Sequence, residues 1–175
     1  MGANQADALK TLNNMPDVNS ASITMEKTRL PMMEQEIRWR FSNDQDNGAI
    51  YLHDDKVTVM QFYNEKNYLL LDLLKIYGQP DFIYLDKAIL DGVYVEVTIL
   101  YLSKGICLTY EPLLIPFYNP SNIRVWPISR IRSVYYTDPS IPDWQLNVSC
   151  LSGIKSSVYN AHVQKWNGYR AYSFQ

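Results

Sequence analysis

One pattern occurs twice in this chain and constrains its fold more than any other feature. Asp7-Ala8-Leu9-Lys10-Thr11-Leu12-Asn13-Asn14-Met15-Pro16-Asp17-Val18 matches Asp72-Leu73-Leu74-Lys75-Ile76-Tyr77-Gly78-Gln79-Pro80-Asp81-Phe82, with one residue of slack before the Pro-Asp pair. In the second copy Leu70, Leu71, Leu73, Leu74 and Tyr77 recur at helical spacing, and Gly78 stands where a glycine ends a helix. Pro80 then prevents the helix from resuming. In the first copy Asn13-Asn14 is expected to replace the glycine, because Asn tolerates the left-handed conformation best after Gly.

The segments that follow run in parallel. Strands are expected over Val18–Thr24, Glu36–Phe41, Ala49–His53 and Lys56–Tyr63 after the first helix. After the second they are expected over Phe82–Leu85, Val93–Leu102, Gly105–Tyr110 and, beyond an insertion, Ile128–Tyr136. Glu36-Ile37-Arg38-Trp39-Arg40-Phe41 alternates with period two, as a half-buried strand does. His53-Asp54-Asp55-Lys56 and Ser103-Lys104-Gly105 read as tight turns. Chance likeness of two short helices is the alternative, and agreement in element order across both copies weighs against it.

The expected fold is therefore α+β: two helix-plus-antiparallel-meander repeats, residues 6–66 and 68–138, forming a sheet with short helices on one face. The other face is left open to solvent or a partner. Residues 112–127 insert into the second repeat, and residues 139–175 form a C-terminal extension packed on the sheet. The 175 residues and 47% hydrophobic content suffice for a sizeable core, and a net charge of -2 argues against disorder.

The insertion carries Pro112, Pro116, Pro120 and Pro127, which exclude a regular helix or a central strand. It is also rich in Leu, Ile and aromatic residues. Either it folds back to plug an open end of the core, or Phe117, Tyr118 and Trp126 form an apolar docking patch for a partner. In the extension, Trp144–Leu151 alternates like a strand. Trp166-Asn167-Gly168-Tyr169-Arg170-Ala171-Tyr172 reads as an anchor pinning the tail on the sheet, with stacking against a sugar or peptide as the alternative.

Cys107 and Cys150 are too few for a disulfide framework, and buried free thiols are expected ahead of a bridge. No run approaches the ~20 apolar residues of a spanning helix. Residues 1–7 show no signal-peptide pattern. Residues 1–111 hold 16 acidic and 10 basic side chains, and residues 112–175 hold 2 and 6. That is far from the clustered cations that nucleic-acid binding requires.

Catalytic motifs are lacking: no Gly-x-Ser-x-Gly, His-Glu-x-x-His, Walker loop or dinucleotide fingerprint occurs. His53 with Asp54 and Asp55 on a turn is too little to specify a metal, and His162 lies in the polar tail. Glu96, the most plausible buried acid, shares a strand face with Tyr94 and Thr98, the solvent face. No catalytic residue, metal site or cofactor is nominated. An enzyme would require a cleft holding His53 or Glu96 beside a second polar group.

Leu73-Leu74-Lys75-Ile76-Tyr77-Gly78-Gln79-Pro80-Asp81, followed by Ile99-Leu100-Tyr101-Leu102 and Lys104-Gly105-Ile106, resembles the repeat of BamE and the beta-lactamase inhibitor proteins. It is also similar to uncharacterised bacterial lipoprotein-like proteins. The resemblance covers residues 68–110 and, less fully, 6–66. The first copy has Asn-Asn-Met-Pro in place of Gly-x-Pro, and no lipobox cysteine precedes it. The resemblance implies an extracytoplasmic, non-catalytic binding or scaffolding domain of the cell envelope or exterior. A cytoplasmic location is the alternative. The expected partner is another protein, met through the open face and the Pro-rich loop; a small-ligand or carbohydrate-binding domain using that face is the second expectation.

Overall fold

The computed structural model describes residues 2–30, 33–42, 47–63, 68–89, 93–110, 113–115, 121–144, 150–151 and 154–174. Helix α1 (Gln5–Asn14) starts at Asn4, whose Oδ1 accepts from the Asp7 amide at 2.8 Å. Its end corrects the expectation for Asn13-Asn14. Neither residue is left-handed. Both stay helical, and their Nδ2 groups donate back to the Leu9 and Lys10 carbonyls. The helix stops because Pro16 forces Met15 into an extended conformation. Helix α2 (Leu70–Tyr77) ends as expected at Gly78, with φ 80°. It lacks a side-chain cap at its start. Instead the Leu70 and Leu71 amides donate to the Ser129 and Pro127 carbonyls, at 2.9 and 3.0 Å.

Four strands follow α1: β1 (Val18–Leu30), β2 (Met33–Phe41), β3 (Asn47–His53) and β4 (Lys56–Tyr63). After α2 come β5 (Phe82–Ile89), β6 (Val93–Tyr101), β7 (Ile106–Tyr110), β8 (Leu113–Ile115), β9 (Asn122–Arg124) and β10 (Ile131–Thr137). The extension contributes α3 (Ser156–His162), β11 (Val163–Lys165) and β12 (Ala171–Ser173). Among the described residues, nine strands form one antiparallel sheet in the order β1-β2-β3-β4-β10-β7-β6-β5-β11, with β8 added beside β6; β12 pairs separately with β9. The architecture is α+β with a dominant antiparallel sheet. Among the described residues no helix is long and apolar enough to cross a membrane.

The strands that follow α1 and those that follow α2 meet through β4 and β10, where Val134 pairs with Phe62 and Tyr135 with Gln61. Along one row Val134, Phe62, Gly48 and Trp39 share a face. Val134 belongs to the core beneath α2 and Trp39 to the core beneath α1, so both helices cover the same side. Gly48 is required in that row because the Trp39 indole lies on it; a Cβ there would drive into the ring. β1 is longer than expected, since its polar second half pairs with β2 although it lacks an alternating pattern. Residues 20–23 bulge from this edge strand opposite Trp39, which discourages edge-to-edge pairing.

The C-terminal half of the chain packs beneath α2 and on the opposite side of the sheet. Ile123 and Val125, from the end of the Pro-rich insertion, are buried beneath α2 together with Trp166 and Tyr172. The Trp166 indole donates to Gln79 Oε1 at 2.8 Å, and the Tyr172 hydroxyl to the Gly168 carbonyl at 2.9 Å. The tail then takes a course that sequence reasoning did not anticipate. Helix α3 lies on the opposite side of the sheet from α1 and α2, with Tyr159 stacked on Tyr84. Trp144 is buried on that side too, donating to the Leu102 carbonyl; residues 145–149, most of the expected strand there, lie outside the described residues. Cys107 and Cys150 are joined in a disulfide, overturning the expectation of free thiols. The bridge ties the extension to the middle of the sheet.

Candidate functional site

The face opposite α1 and α2 is only partly covered, and what it exposes is polar. Strand alternation sends Ile37, Trp39 and Phe41 to the helix side and Glu36, Arg38 and Arg40 to the open side. Register aligns these with residues far away in sequence. One row runs Arg40, Asn47, Tyr63, Ser133, Thr109, Thr98; the next runs Thr24, Arg38, Ala49, Gln61, Tyr135, Cys107, Leu100. Asp86 and Glu96 are paired beyond the first row, at the β5–β6 end.

Two cavities indent this face. One, of about 460 Å³, is lined by Asp86, Glu96, Thr109, Ser133 and Tyr135, with Cys150 of the extension at its wall. The other, of about 560 Å³, is lined by Thr24, Glu26, Arg38, Arg40 and Asn47. Tyr63 and Arg132 line both, so the two form one groove across the β4–β10 seam.

Hydrogen bonds on the same face hold Tyr135, which lines the first cavity. The Tyr51 hydroxyl donates to Gln61 Oε1 at 3.1 Å, and Gln61 Nε2 donates to the Tyr135 hydroxyl at 2.5 Å. Burial raises the pKa of both phenols, so they stay neutral across the physiological range. Arg38 forks onto Glu36 through Nε and Nη2, at 2.7 and 3.0 Å. Glu96 has its pKa raised by burial and by the neighbouring Asp86 carboxylate, while Arg132 pulls it back. The groove therefore offers Asp86 and Glu96 at one end, Arg132 and tyrosine side chains in the middle, and Arg38 and Arg40 beside Glu26 at the other end.

The residues singled out from sequence are scattered. Trp126 stands beside the start of α2, half exposed, with the Arg124 guanidinium 4.3 Å from its ring centre. Phe117 and Tyr118 lie outside the described residues. His53 sits on the β3–β4 turn, where Asp54 and Asp55 take φ 49° and 60°; its Nδ1 is 3.4 Å from Glu34 Oε1 and its Nε2 3.7 Å from Asp54 Oδ2. His162 Nδ1 donates to the Leu85 carbonyl at 2.9 Å and lies 3.6 Å from Asp86. Glu96 is on the open face as alternation requires, but within a cavity and beside Asp86. Arg38, Arg40, Tyr63, Arg132 and Tyr135 were not nominated. Their signal was the polar half of each alternating strand; the seam that unites them was not readable. Compared with family models, curated proteins and solved structures, the chain matches none.

Proposed function

We propose that this protein is a non-enzymatic binding or scaffolding module that engages another protein through the groove on its open sheet face. The observation that carries this reading is the groove made by two adjoining cavities, which share Tyr63 and Arg132 and are lined as well by Arg38, Arg40 and a hydrogen-bonded Tyr135. Tyr and Arg are among the residues that most often dominate protein interfaces, and a side chain already held, as Tyr135 is by Gln61, loses little freedom on binding. The mixture of carboxylates and guanidinium groups favours a partner surface bearing both charges. The exposed Trp126, beside the start of α2, supplies a second contact on the helix side. The repeated order of a helix and a meander supports a duplicated unit of the kind resembled by the sequence. The disulfide supports an extracytoplasmic location in the cell envelope or exterior, where such bonds persist.

A photo-crosslinking residue placed at Tyr63 tests the proposal, with one at the exposed Ile76 of α2 as the control. In the native host, Tyr63 should yield a discrete protein adduct that Arg132→Glu removes and that Ile76 does not give. Equal adducts at both positions, or none at Tyr63, would defeat it. The cavity at the Glu96 end favours a second reading, a small-ligand or carbohydrate-binding domain. That reading requires concentration-dependent thermal stabilisation by a glycan or metabolite, abolished by Tyr135→Ala.

A further inference from the structure

Strand β10 carries a bulge where it enters the sheet. Ile131 pairs with Tyr110 and Ser133 with Thr109, so one extra residue, Arg132, stands between them. Ile131 and Val134 both join the core beneath α2, although residues three apart in an unbroken strand would point to opposite faces. The bulge thus turns Arg132 and Ser133 together onto the open face, where both line the first cavity. Bulges re-aim side chains in this way beside functional sites. Arg132 is exposed and borders both cavities of the groove.

The charges along the groove are segregated. The second cavity gathers Arg38, Arg40 and Arg132 against one carboxylate, Glu26, among the described residues. Of these three arginines, Arg38 alone is ion-paired among the described residues, to Glu36. Register sets Arg40 and Arg132 on either side of Tyr63, so their guanidinium groups border one space. At the other end Asp86 and Glu96 pair across β5 and β6, with His162 3.6 Å from Asp86.

We infer that the groove receives one extended segment of a partner protein, with an acidic side chain at Arg40 and Arg132 and a lysine or arginine at Asp86 and Glu96. The inference rests on the reading of the groove as a protein-binding site and adds the order and spacing of the charges. Adjacent strands lie ~4.8 Å apart, so the three or four steps from β4 to β6 and β5 measure ~14–19 Å. An extended chain advances ~3.3 Å per residue, which puts the partner's acid and base about four to six residues apart. A guanidinium group grips a carboxylate through two parallel N–H donors, which favours an acidic side chain at the arginines. A uniformly anionic chain, such as a polyuronate or a nucleic acid, would run from the arginines onto Asp86 and Glu96 and be repelled there.

The test selects phage-displayed random peptides of about twelve residues on the immobilised full chain, then measures the recovered peptides by fluorescence anisotropy. Recovered sequences should be enriched in an Asp or Glu four to six residues from a Lys or Arg. Replacing either charge by Gln should weaken binding at least fivefold. Arg132→Glu should weaken it tenfold or more, and a Lys in place of the peptide's acid should restore binding to that variant. Arg132→Gln should give a smaller loss, and it decides should the Glu variant not fold. Recovered peptides that bind the groove, as judged by weakening in Tyr63→Ala, but lack the charge pair overturn this inference and leave the groove reading intact. Tighter binding of polyglutamate than of any recovered peptide also overturns it, since the site would then be one for polyanions. So does recovery of no peptide that Tyr63→Ala weakens. The crosslink at Tyr63 judges the groove itself, because it reports a partner of any charge.

Discussion

Glu96 is held between opposing influences: burial and Asp86 favour its neutral form, and Arg132 favours the charged one, with the first pair stronger. The folded-state pKa is consequently above the ordinary value of 4.5. At acidic pH both folded and unfolded chains carry the proton and the group contributes nothing. As pH rises past 4.5 the unfolded chain releases its proton first, so folding loses stability until the folded pKa is passed. Glu96→Gln should therefore leave stability unchanged below about pH 4. Near neutral pH it should raise stability, by no more than about 0.5 kcal/mol because the side chain is partly solvated. Urea melts at several pH values read both the sign and the window. A variant less stable at pH 7 would mean that the Arg132 attraction outweighs burial.

At the level of elements, the sequence was most informative where one strand or helix decides its own fate. Pro80 after Gly78 marks the end of α2, and the alternation of Glu36–Phe41 marks the end of β2, although β2 begins three residues earlier, at Met33. The end of α1 was misjudged because Pro16 acts on its neighbour Met15, so Asn13 and Asn14 need no special conformation. The second half of β1 was missed since it takes its extended form from β2 rather than from its own pattern. For α1, stability rests on few apolar contacts, which makes its cap matter more. Asn4→Ala removes the acceptor for the Asp7 amide and should cost about 1 kcal/mol. Hydrogen exchange should accelerate in α1 well before α2 responds; uniform acceleration in both would show the two helices to be one cooperative unit.

Across the whole molecule, the groove was legible only as an open face, since its walls come from pairings some seventy residues apart, such as Gln61 with Tyr135. The route of the extension was equally hidden: Trp144 meets Leu102 and Cys150 meets Cys107 through contacts that no local pattern encodes. The disulfide closes a loop between positions 43 residues apart. Its reduction should cost about 2–4 kcal/mol, mostly by freeing the unfolded chain. Melting temperature with and without reductant, compared with a Cys107→Ser/Cys150→Ser variant, measures this; indifference to reductant would show that packing alone holds the extension. The seam between β4 and β10 has one more consequence. Tyr63 comes from one side of it and Ser133, Tyr135 and Arg132 from the other, so the groove is complete only once β10 has paired with β4. Whatever settles there touches side chains from both β4 and β10, and while bound it resists their separation.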